Sequence, residues 1–182
     1  MRKAVLSILL GLTVVALFAA PVFAAPMGKA IPANNNPQNL YLYEKDPADW
    51  TIVAGGAWGK YNYKLSGTGD DTTISGVFNG HGLVADESYS LIYYPEVAPN
   101  PWPAGGWGVV VISNGTADAD GNVHLTGTAV IGGPDSQPNV GDYIGQTGDK
   151  IWLVLSSDLT GSVMTGWNPT EYLFEQKLVN TP

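Results

Sequence analysis

The sequence predicts an all-β fold: an antiparallel β-sandwich of immunoglobulin-like, Greek-key or jelly-roll type, built as one domain over residues 40–182. Several short runs alternate apolar and polar residues at period two, the spacing of a strand with one buried face. Glycine, asparagine and aspartate punctuate those runs, and no stretch sustains the helical period of about 3.6 residues.

Ahead of the domain, Arg2 and Lys3 form a basic start. An apolar run follows through Leu17 and Phe18, and small residues lead to Ala24. That order is a cleavable secretory signal over residues 1–24, with cleavage expected after Ala24. Retention as an anchor is the competing reading, but Pro21 ends the apolar stretch near the lower limit of a spanning helix. No later run is long enough to cross a bilayer, so no membrane insertion is expected after cleavage. Residues 25–39, rich in Pro and Asn without apolar period, read as a flexible leader.

Within the domain, residues 40–44 and 50–54 read as the first strands. The alternation in Lys60-Tyr61-Asn62-Tyr63-Lys64-Leu65 places Tyr61, Tyr63 and Leu65 on a buried face. Strands are expected over 72–78 and 89–94, with turns at Asn79-Gly80, which takes His81 with it, and at Asn114-Gly115. In 122–130, Val123, Leu125 and Ala129 point inward while His124, Thr126 and Thr128 face solvent. Residues 108–112 and 151–155 are apolar at consecutive positions, as in central strands covered on both faces. For 151–155 the second cover is a loop, the C-terminal segment or another subunit. At the C-terminus, Asn168-Pro169-Thr170-Glu171 has the composition of a helix start. A final strand is the expectation, with Tyr172, Phe174 and Leu178 on one face and Glu175 and Lys177 on the other.

Six segments carry a family likeness: Leu40-Tyr41-Leu42-Tyr43-Glu44-Lys45-Asp46-Pro47, Gly55-Gly56-Ala57-Trp58-Gly59-Lys60, Tyr89-Ser90-Leu91-Ile92-Tyr93-Tyr94-Pro95, Ala117-Asp118-Ala119-Asp120-Gly121-Asn122-Val123, Lys150-Ile151-Trp152-Leu153-Val154-Leu155-Ser156 and Trp167-Asn168-Pro169-Thr170-Glu171-Tyr172-Leu173-Phe174. Together they resemble a family of small exported β-domain proteins of bacteria and archaea that has no established activity. The resemblance implies an extracytoplasmic β-fold and supplies no catalytic residue.

Charge narrows the partners. Cleavage takes two of the eight basic residues and leaves six against 16 acidic ones, a formal charge of −10. Such a chain repels phosphate backbones, so nucleic acid is not an expected partner. The absence of cysteine excludes disulfides and thiol chemistry.

Four candidate constellations remain. Tyr94 leads into a proline-rich loop that carries Trp102 and Trp107, rigid rings of the kind sugars or partner proteins stack on; folded back, the same rings would lid the core. Asp118, Asp120 and Asn122 offer oxygen ligands for calcium on a tight turn, although a third ligand before Gly121 and a closing Glu are missing and a plain β-turn explains them equally. Asn114 opens a formal N-x-[ST] acceptor. The pairs Asp46/Asp49, Asp70/Asp71 and Asp86/Glu87 could supply the two carboxylates of a glycoside hydrolase, but scattered acids on turns read more simply as solvated surface. No Ser-His-Asp set or nucleophile elbow is visible.

The sequence therefore points to a secreted or otherwise extracytoplasmic, non-catalytic protein with an adhesion or assembly role, through self-association or glycan contact. The alternative is a carbohydrate-binding module that uses the aromatic loop; a glycoside hydrolase ranks below both.

Overall fold

The computed structural model describes residues 37–94, 107–132 and 148–180. The expected signal peptide, most of the leader and residues 95–106 lie outside the described residues. The described residues form eleven strands: β1 Gln38–Tyr43, β2 Trp58–Ser66, β3 Thr73–His81, β4 Ser88–Tyr94, β5 Trp107–Gly108, β6 Val110–Thr116, β7 Val123–Val130, β8 Lys150–Leu155, β9 Leu159–Thr160, β10 Val163–Met164 and β11 Leu173–Glu175. All ladders are antiparallel.

Eight strands make one sheet in the order β6-β4-β8-β11-β1-β2-β3-β7, and a small sheet has the order β5-β10-β9. The two end strands of the large sheet run side by side. Ser113 Oγ on β6 donates to Thr126 O on β7 at 3.0 Å, and a Cβ on Gly127 would overlap the Ile112 carbonyl oxygen. The large sheet is thus nearly closed.

Strand alternation fills the interior. Tyr61 and Tyr63 stack with ring centroids 5.3 Å apart, and Phe78 lies opposite Tyr61. Glycines make room for these rings: a Cβ on Gly59 would overlap Phe78, and one on Gly76 would sit 2.8 Å from Tyr61 Cε2. Alternating large and small residues is how a curved sheet accommodates bulky rings inside.

The outer face of β4 and β8 is covered within the chain. Ile92 and Val154 are fully buried there although their neighbours Leu91, Tyr93, Leu153 and Leu155 already fill the inner face. Residues 156–168 lie over them: Ser156 Oγ and Ser90 Oγ are 2.8 Å apart, and Trp167 packs on Trp152 at 5.9 Å.

The structure revises several local expectations. β1 begins at Gln38, inside the expected leader. Residues 108–112 do not form a central strand; the chain passes from the small sheet to β6 at buried Val109. Residues 50–54 contribute only the bridge between Lys45 and Ile52. Asn79-Gly80-His81 and Asn114-Gly115 lie inside strands, where Gly80 leaves room for Phe78 and Val123. The C-terminal segment makes a 3₁₀ turn at Pro169–Glu171 and then β11. In β11 Phe174 and Glu175 lie on opposite faces as expected, and it is the glutamate that points inward. Glu175 pairs with Leu42 and is buried at 2 % exposure, while Phe174 faces outward beneath an aromatic layer.

Candidate functional site

Register places an aromatic row across the outer face. Trp152 pairs with Phe174, Phe174 with Tyr43, Tyr43 with Trp58, and Trp58 with His81. Alternation puts all five on one side of the sheet. Exposure differs between its ends: Trp152 and Phe174 are buried at 7 % and 2 %, Tyr43 and His81 are half-buried, and Trp58 is 41 % exposed.

The buried end is a structural cluster. The Tyr94 ring stacks on Trp152 at 4.9 Å, Trp167 meets Tyr172 edge-on at 5.4 Å, and Lys150 Nζ lies 6.0 Å from the Trp152 ring centre. Its anchor is Asp158. The Asp158 carboxylate accepts Tyr172 Oη and, at 3.0 and 2.8 Å, Asn168 Nδ2, while its backbone oxygen accepts Thr165 N at 2.8 Å. A Cβ on Gly166 would overlap that carboxylate, so glycine lets the loop close on it.

Trp50 caps this cluster from a tight turn. Its ring meets Phe174 edge-on at 5.1 Å and stays 39 % exposed. Its φ of 60° is left-handed, a conformation that costs a bulky residue about 1–3 kcal/mol. The surrounding turn holds it there: Trp50 N donates to Asp46 O at 2.7 Å, and Asp49 Oδ1 accepts Thr51 N at 3.0 Å and Thr51 Oγ1 at 2.7 Å. Those bonds lower the Asp49 pKa, the backbone bond from Thr51 first.

At the other end Trp58 is exposed and Tyr41, Tyr43 and His81 are half-buried. Tyr41 and Tyr43 are near-parallel, 17° between planes at 6.2 Å, and Tyr41 approaches Trp58 at 6.5 Å. Trp58 and His81 are 4.8 Å apart, and Lys60 Nζ sits 5.8 Å over the Tyr41 ring. His81 Nδ1 meets Asn122 Oδ1 at 2.8 Å, which fixes the imidazole beside Trp58.

The sequence-predicted site residues are dispersed. Tyr94 is buried in the structural cluster, Trp102 lies outside the described residues, and Trp107 is in β5 with its side chain outside the description. Asp118 Oδ1 organises a turn, accepting Asp120 N at 3.0 Å and Asn122 N at 2.8 Å. These bonds lower its pKa, the Asn122 backbone bond foremost. Asp120 projects from that turn, and Asn122 is spent on His81 and the Asp118 turn. Asn114 is exposed on β6. Among the described residues no three acidic or histidine side chains gather as a metal site, and no helix is long and apolar enough to cross a membrane.

The outer-face group of Tyr41, Tyr43, Trp58 and His81 was not singled out from sequence. Its signal was present: Trp58 occupies a polar-face position of the 58–66 alternation, and Tyr41 and Tyr43 alternate with Leu40 and Leu42, giving a strand apolar on both faces. No protein-family model, curated protein or solved structure matches the chain.

Proposed function

We propose that this chain is an exported, non-catalytic protein of the cell surface or extracellular matrix that works by adhesion or assembly. It would belong with the small exported β-domain proteins that its sequence resembles. The observation that carries the reading is the aromatic strip of exposed Trp58 and half-buried Tyr41 and Tyr43 on the outer strand face. Large rings left in water on an ordered sheet are the usual anchors of recognition. In this reading the fold is the expected sandwich: residues 156–168 act as a second layer over the outer face of β4 and β8, and the outer face of β1, β2, β3 and β7 is left for a partner.

Expression of the full chain in the organism that encodes it tests the reading. Mature protein beginning at Ala25 should be recovered from the cell surface or matrix. A chain that keeps residues 1–24, or that stays monomeric in the medium without coating cells, refutes it.

A further inference from the structure

We infer that the outer face of β1, β2, β3 and β7 binds an acidic, uronate-bearing oligosaccharide, a conclusion that rests on the surface-binding reading above. Charge distribution is the first ground. The chain has 16 acidic and eight basic residues, yet these four adjacent strands contain no aspartate or glutamate. They hold instead Lys60, Lys64 and both histidines of the chain, His81 and His124. Two flanking carboxylates are engaged in turns: Glu44 Oε2 accepts Ala57 N at 2.9 Å, and Asp118, which also acts on His81, organises its own loop; Asp70, Asp71 and Asp120 lie on turns at the strand ends. An anionic ligand is repelled by most of this protein and meets an acid-free, weakly basic field on this face.

Register is the second ground. Tyr43, Trp58 and His81 lie in one cross-strand row, and Tyr41, Lys60, Asn79 and His124 in the next. Each strand step is about 4.8 Å, so the ring row from Tyr43 to His81 extends roughly 10 Å, longer than one sugar ring. Flat rings suit the C–H faces of a pyranose, and the neighbouring row supplies hydrogen-bonding groups and a cation. Lys60 is held over Tyr41, and His124 Nδ1 meets Asn79 Oδ1 at 2.7 Å, so both cationic or amphoteric groups are pre-positioned.

Other occupants fit less well. Nucleic acid also stacks on rings, but two lysines and two histidines are a small counter-charge for a phosphate at every nucleotide. A second copy docked face to face would bring the same lysines and histidines and no carboxylate from these strands to answer them.

Titration calorimetry on the exported full chain provides the test, with oligogalacturonate and its carboxyl-reduced, neutral counterpart of equal length as probes. The acidic chains should bind, and Trp58→Ala should weaken them about tenfold or more. Lys60→Gln with Lys64→Gln should remove the preference for the acidic over the neutral chain, and binding should weaken as salt rises. Trp58 and Lys64 are exposed, so unchanged thermal unfolding of each variant separates lost contact from lost fold. Equal affinity for both probes, binding to neither, or full affinity in Trp58→Ala overturns the inference. A wild-type chain that coats cells and is not displaced by oligogalacturonate refutes the ligand and leaves the surface-binding reading standing. A chain that never coats cells refutes that reading itself.

Discussion

Replacing Asp158 with alanine strips the anchor from the outer layer. The Tyr172 hydroxyl is in a fully buried residue and donates to Asp158, so its removal strands a donor at a cost of about 1–3 kcal/mol. Asn168 is exposed, so water replaces its two bonds and it adds only a few tenths of a kcal/mol. Losing a charge-assisted acceptor brings the total to roughly 3 kcal/mol, or a fall in Tm of about 6–12 °C for a domain of this size. Guanidinium unfolding followed by tryptophan fluorescence measures it, because Trp167 packs on both Trp152 and Tyr172, the anchor's partner. The same change in a Tyr172→Phe background leaves no orphan hydroxyl, so the two substitutions should couple by about 1–2 kcal/mol. A loss below about 0.5 kcal/mol, or strict additivity, would refute the assignment of Asp158 as the anchor.

Gly127→Ala should destabilise by about 1–3 kcal/mol, since its Cβ would meet the backbone of β6 and lie 2.9 Å from Ser113 Cβ; an unchanged guanidinium midpoint would mean that β6 and β7 do not abut. Tyr61→Phe should be neutral or stabilising by up to about 1 kcal/mol, because the buried Tyr61 hydroxyl has no hydrogen-bond partner among the described residues; a clear loss by thermal melting would contradict this. Stability should also decline in alkali. Burial pushes the Tyr63 hydroxyl up to about 12 and raises Tyr61 as well, by burial first and by Tyr63 second. The folded state therefore keeps protons that the unfolded chain releases: stability is complete below about pH 10 and is lost as pH climbs from there toward 12. Unfolding midpoints measured from pH 8 upward should show that decline, and a flat profile would contradict it.

Much of the scaffold was legible because period-two alternation is a local signal. Tyr61, Tyr63 and Leu65 face inward as the pattern requires, and His124, Thr126 and Thr128 face solvent. Turn chemistry misled where glycine had a packing role. Asn79-Gly80 and Asn114-Gly115 have the composition of turns, yet Gly80 makes room for Phe78 and Val123, and Gly115 for Leu125. The direction of Glu175 depended on a long-range fact: Trp50 and Trp167, distant in sequence, cover Phe174 and turn its apolar side outward. The aromatic face was missed for a related reason. Tyr43, Trp58 and His81 belong to three strands, and only the register brings them together.

Coating of cells from the encoding organism by the wild-type chain and by Trp58→Ala, compared by flow cytometry, tests most directly whether the outer-face group of Tyr41, Tyr43, Trp58 and His81 is the contact surface. Trp58 is 41 % exposed, so the variant should fold normally and coat cells about tenfold less well. Equal coating by the two proteins would contradict the assignment of that face.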